Sequence, residues 1–141
     1  MYSVLKILLI TSGIGHIVLC LGSLLIPKML NWQHELKPLK TLLKQMFWTY
    51  AAYILVINFS FGIISIVGAD DLLNHSFLAR SITLFIGIYW LARVLIQFFY
   101  FDKTDAPKGL FYTLGEIGLV ALFVIFTCAY LTAFLFNSLW I

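Results

Sequence analysis

Charge is what this sequence has least of. Nine of its 141 residues are Lys or Arg and six are Asp or Glu, so 11% of the chain is charged, against about a quarter in an ordinary soluble domain. The chain has too little polar surface for a water-soluble domain. Its net charge of +3 rests on few basic residues set mostly between apolar segments, which suits a membrane surface better than nucleic acid, and no nucleic-acid partner is expected. Cysteine is scarce too: Cys20 and Cys128 form no CxxC and no Cys/His cluster, removing both a disulfide framework and a zinc site. On helices the two cysteines would differ in depth by roughly 20 Å, far beyond the ~7 Å between bridged Cα atoms. HExxH, GxSxG, the P-loop and the dinucleotide fingerprint are all missing, so the standard hydrolases, kinases and nucleotide enzymes have no foothold. Heptads, solenoid periods and strand-type alternation are also lacking.

What is present is apolar: 62% of residues are hydrophobic and 17% aromatic. Four apolar stretches, at about 4–26, 47–67, 77–101 and 110–136, each approach the roughly 20 residues that a helix needs to cross a hydrocarbon core. Only short polar connections separate them. The expected fold is all-α, an integral membrane four-helix antiparallel bundle in which 1–141 is a single transmembrane domain. MYSVLKILLI opens like a signal peptide, but its apolar run is too long and no small-residue cleavage site follows, so it reads as the first membrane helix.

Lysines set the expected orientation. Lys28, Lys37, Lys40 and Lys44 in the first connection and Lys103 and Lys108 in the third outweigh Lys6 and Arg80 on the other side, placing both termini outside and loops 27–46 and 102–109 in the cytoplasm. Arg80 is expected to pair with Asp70 or Asp71 in the second connection. In the first, Leu36, Leu39, Leu42 and Leu43 share one face and Lys37, Lys40 and Lys44 another. With Trp32 ahead, this predicts a short interfacial helix between helices 1 and 2. Trp48, Tyr50, Phe98, Phe99, Tyr100, Phe111 and Tyr112 fit an interfacial aromatic belt.

Inside the helices the few polar residues stand out. Arg93 lies in IYWLARVLIQFFYFD, where an arginine costs about 2.5 to 3.5 kcal/mol unless it finds a partner. Counted from the cytoplasmic helix ends, Glu116 in YTLGEIG reaches a similar depth, and a bidentate Arg93–Glu116 pair is expected. His16, flanked by Ser12, Gly13 and Gly15, and Tyr53, with Asn58 somewhat deeper, add polar groups from the first two helices. Tyr89, Trp90, Arg93, Gln97 and Tyr100 follow helical spacing along one face. His16, Tyr53, Tyr89, Trp90, Arg93, Gln97 and Glu116 therefore form the expected polar layer.

Three uses fit such a layer. It fixes the register of the bundle, or forms the floor of a pocket for a hydrophobic molecule with a polar head such as a quinone or lipid, or serves as a proton relay or acid/base pair through His16 and Glu116. A metal site is not expected, because His34 and His75 fall in connections on opposite sides of the membrane.

GHIVLCLGSLLIP, KQMFWTYAAY and LARSITLFIGIYWLARVLIQFFYFD together resemble small DoxX-like bacterial membrane proteins over most of the chain. The resemblance implies a four-helix protein of the bacterial inner membrane, in some relatives associated with quinone-linked redox chemistry. It transfers no catalytic residue. The expected function is a binding module for a lipid or quinone, or an accessory subunit of a larger membrane complex or homo-oligomer, rather than a self-contained enzyme. The alternative is a membrane enzyme or proton-coupled carrier using His16, Arg93 and Glu116.

Overall fold

The computed structural model describes residues 2–100 and 109–139, without the side chains of Met29 and Phe111. Lys103 and Lys108, which bear on the expected orientation, lie outside the described residues. Four helices are long and apolar enough to cross a membrane by length and composition: α1 (Tyr2–Ser23), α4 (Thr41–Val67), α5 (Phe77–Phe99) and α6 (Leu110–Asn137). No strand occurs among the described residues. The apolar stretches read from the sequence coincide with these helices to within a few residues, except that α4 begins six residues earlier.

That difference corrects the expected interfacial helix. The connection holds two single-turn helices, α2 (Ile26–Met29) and α3 (Trp32–Glu35), and the lysine-rich segment divides around Pro38. A proline disfavours helical geometry in the residue before it, so the leucine and lysine faces never form one helix. Lys40 is extended at φ −64°, ψ 154° as the N-cap of α4, and Leu42, Leu43 and Lys44 belong to the first turns of that long helix. Trp32 does reach it, with its ring 4.8 Å from Phe47 and 5.6 Å from Trp48.

Packing is uneven around the molecule. α1 lies against α4 and α6, and α5 lies against α6, whereas α4 and α5 hardly approach each other. The α1–α4 contact is close because two glycines meet. A Cβ on Gly13 would stand 2.8 Å from the Gly62 carbonyl oxygen, and one on Gly62 would stand 2.9 Å from that of Gly13. Absence of side chains at this crossing lets the backbones touch, and the gain is dispersion contact along both helices.

Packing is uneven along the molecule as well. The buried side chains of α4 are confined to Asn58–Ser65, those of α5 to Ala79–Trp90, and the described ones of α6 to Phe123–Asn137. One half of the molecule is therefore dense and the other open. At the dense end, a 3-10 turn over Asp71–Leu73 buries Leu72 and Leu73 against the long helices. The buried Asn137 ties this turn down. Its Nδ2 donates to the Leu72 carbonyl at 2.5 Å, and its Oδ1 accepts from the His75 N–H at 3.2 Å. Asn137→Leu should leave two backbone groups short of a partner and cost about 1 to 3 kcal/mol, read as a lower midpoint in detergent unfolding. A midpoint equal to wild type would contradict this role.

The pairing expected for Arg80 is not the one formed. Asp70 accepts from the Tyr2 hydroxyl and lies 3.1 Å from the Lys6 ammonium. Tyr2 and Lys6 stand one turn apart on α1, so both reach the one Asp70 carboxylate. The Tyr2 hydrogen bond, and then Lys6, hold the Asp70 carboxyl below its ordinary value.

Candidate functional site

His16 on α1 is a fully buried polar group, with no exposed surface. Its Nδ1 lies 2.8 Å from the Ser12 carbonyl, and its Nε2 lies 2.9 Å from the indole nitrogen of Trp90 on α5. Tryptophan can only donate and a carbonyl can only accept. His16 is thus the neutral tautomer with the proton on Nδ1, and both nitrogens are committed. Aromatic rings close the surroundings: Phe126 stacks on the imidazole at 4.1 Å, Phe61 and Tyr130 meet it edge-on, and Phe123 stacks on Trp90 at 5.0 Å. Trp90 is 2% exposed. This layer is a sealed floor, filled by its own side chains.

A second, shallower layer begins one turn further along α5. Arg93 donates to the Gln97 side-chain oxygen at 3.1 Å, and Gln97 donates to Glu116 on α6 at 3.4 Å. Gln97 therefore joins the arginine to the carboxylate expected to pair with it. The Arg93 guanidinium also sits over the Phe123 ring, 5.0 Å from its centroid, a cation–π contact. All three polar residues are half-buried. Arg93 stands about one turn beyond Trp90, and Gln97 and Glu116 about two turns beyond Trp90 and Phe123, the last buried residues of their helices on this side.

Between α4 and α5 the gap is bridged by side chains. Tyr89 donates to Asn58 at 3.1 Å, and its ring lies 5.4 Å from Phe61. Tyr53, expected in the inward layer, is 62% exposed and points away from it. Its place follows from helical periodicity: Asn58, Phe61, Gly62 and Ser65 define the packed face of α4, and Tyr53 lies five residues before Asn58, near 140° around the helix at about 100° per residue. Of the seven expected layer residues, the structure brings His16 and Trp90 together in the floor, sets Arg93, Gln97 and Glu116 above it, keeps Tyr89 at its edge, and turns Tyr53 outward.

Sequence reasoning missed Asn58 as a partner and missed the buried Ser65–Tyr130 hydrogen bond. Ser65 and Tyr130 are uncharged hydroxyl residues among several in their apolar runs, which a count of charges overlooks. The buried Ser12 hydroxyl has no partner among the described residues. No group of three or more His, Cys, Asp or Glu side chains gathers among the described residues in a way that could hold a metal ion.

No protein-family model matches the chain, and neither the search of curated proteins nor that of solved structures returns a match.

Proposed function

We propose that the chain is an integral membrane protein, a four-helix antiparallel bundle that binds a hydrophobic molecule with a polar head, a lipid or quinone, in its open half. The contact partners support the antiparallel arrangement. Moving up α1 from Gly13 to Cys20 corresponds to moving down α4 from Gly62 to Leu55, and moving along α5 from Gly87 to Gln97 corresponds to moving back along α6 from Leu131 to Glu116. Four helices of suitable length and hydropathy support insertion, and the lysines of 27–46 support an orientation with that connection in the cytoplasm.

The observation that carries the binding reading is where the dense core stops. Its floor at Trp90 and Phe123 is buried, and Arg93, Gln97 and Glu116 stand about one to two turns above it, half-buried where the other side chains of their helices are no longer buried. Arg93 and Gln97 offer N–H donors to a carbonyl or phosphate oxygen, and Glu116 accepts from a hydroxyl. Val94, Leu119 and Leu122 supply apolar wall. A few convergent polar groups in an apolar surround are the usual composition of a small-molecule site.

The reading as a proton carrier or acid/base enzyme fares less well, because His16 has both nitrogens bonded and no exposed surface. A proton path would have to break the Trp90 contact first. The accessory-subunit reading draws support from Gly115 and Gly118, which face open space and would admit a neighbouring helix.

Native mass spectrometry of gently extracted protein tests the proposal. Wild type should retain a small molecule, and Arg93→Ala combined with Gln97→Ala should reduce its occupancy about tenfold, equivalent to one charge-assisted hydrogen bond. Wild type that is consistently empty would contradict it, and a stoichiometric partner chain in the same spectra would favour the subunit reading instead.

A further inference from the structure

Asp70 is engaged by Tyr2 and Lys6 of α1 and not by Arg80. Among the described residues no carboxylate pairs with Arg80. Its side chain instead lines a groove of about 460 Å³ together with Phe77, Ser81 and Leu84 of α5 and Phe134 and Ser138 at the end of α6. Positions 77, 80, 81 and 84 form one stripe of a helix, and 134 and 138 lie one turn apart on its neighbour. The groove is thus built by two facing helical stripes. Its composition is divided: one guanidinium and two hydroxyls, with two phenyl rings and a leucine beside them. No acidic residue lines it among the described residues.

We propose that this groove is a binding site for an anionic phospholipid. The Arg80 fork meets two phosphate oxygens, a geometry that guanidinium matches better than ammonium. Ser81 and Ser138 hydroxyls donate to the oxygens that remain, and an acyl chain runs along Phe77, Leu84 and Phe134. Arg80 is the fourth residue of α5 and Ser138 is the C-cap of α6, so the polar groups lie within about one turn of the helix ends. That is the depth of lipid headgroups when these helices span a bilayer. An ammonium-bearing headgroup finds no carboxylate among the described residues of the groove, and so a net negative headgroup is favoured. The apolar wall distinguishes a lipid from free phosphate, which would leave Phe77, Leu84 and Phe134 uncovered.

This site is at the dense end, across the molecule from Arg93. It rests on the membrane-spanning reading but not on the ligand of the open half. The test is native mass spectrometry of the full chain in detergent, with phosphatidylglycerol and phosphatidylcholine of identical acyl chains and with inorganic phosphate as competitor. Wild type should retain phosphatidylglycerol preferentially, and phosphate should not displace it. Arg80→Gln, an exposed position whose replacement leaves the core intact, should reduce retention about tenfold. Lys6→Gln, which removes the same charge at the same end, should not. Equal retention of the two lipids, displacement by phosphate, or equal losses from Arg80→Gln and Lys6→Gln would each overturn the proposal. Arg93→Ala is expected to leave this lipid bound, so the failure of one site is separable from the failure of the other.

Discussion

Trp90→Ala is expected to lower the unfolding free energy by about 3 to 5 kcal/mol, the range for deleting a fully buried large aromatic. The indole is 2% exposed and stacks on Phe123 while leaning on Phe126 and Tyr89, so truncation leaves a hole that several rings must fill. Trp90→Phe separates the two contributions inside that loss. Phenylalanine keeps much of the volume and removes the N–H that His16 Nε2 accepts, leaving a buried acceptor without its donor at a cost of about 1 to 3 kcal/mol. His16→Phe should hurt for the reciprocal reason. Both changes together should cost less than their sum, because replacing two partners by apolar groups is far cheaper than orphaning one. Unfolding titrations in mixed detergent give the four corners of this cycle, and strictly additive losses would contradict a direct His16–Trp90 bond.

Gly62→Leu should be at least as severe. The first atom of any side chain at 62 would stand 2.9 Å from the Gly13 carbonyl oxygen and 3.0 Å from the His16 Cβ. Neither obstacle can rotate away, so α1 and α4 must separate along their crossing. Even Gly62→Ala should cost about 1 to 3 kcal/mol through overpacking, despite the better helix propensity of alanine, worth about 1 kcal/mol. Gly22→Ala is the control: a Cβ there meets nothing within 4 Å, and the variant should match wild type or gain slightly. Thermal midpoints in the same detergent would show the contrast. Equal midpoints for the alanine variants at 22 and 62 would mean that the glycine crossing does not hold the helices together.

These two results concern features that the sequence indicated only in outline. Four apolar runs of membrane length were plain in the residue order, and their limits lie close to those of α1, α4, α5 and α6. Hydropathy is legible because it is a sum over many residues and no single position decides it. The linker helix failed because one residue did decide: Pro38 outweighed an amphipathic pattern that suited a continuous helix. Polar residues could be nominated but not paired. Counting from helix ends matches Arg93 with Glu116 only if the helices start flush. In the structure Arg93 lies over Phe123, about two turns past Glu116 on α6, and Gln97 is the residue at the level of the carboxylate.

Rotation about each helix axis was the other missing quantity. Tyr53 and Asn58 both lie on α4, but only Asn58 shares a face with Phe61 and Ser65. A sequence of uniform hydrophobicity gives little indication of which face is inward, since lipid-facing and core-facing residues are both apolar. The division into a dense and an open half was not legible for the same reason. It arises from where glycines and rings happen to meet across helices, at Gly13 with Gly62 and at His16 with Trp90, and the exposed aromatic residues of the open half look no different in the sequence from those of the core.

The central claim is that Arg93, Gln97 and Glu116 hold a bound molecule above the Trp90 floor. A structure determined from protein extracted with its native lipids would test it most directly. The account predicts extended density between α4, α5 and α6, with its polar end within hydrogen-bonding distance of Arg93 or Gln97 and its remainder against Val94 and Leu119. Helices packed together across the open half, with side chains filling the space beside Arg93, would contradict it.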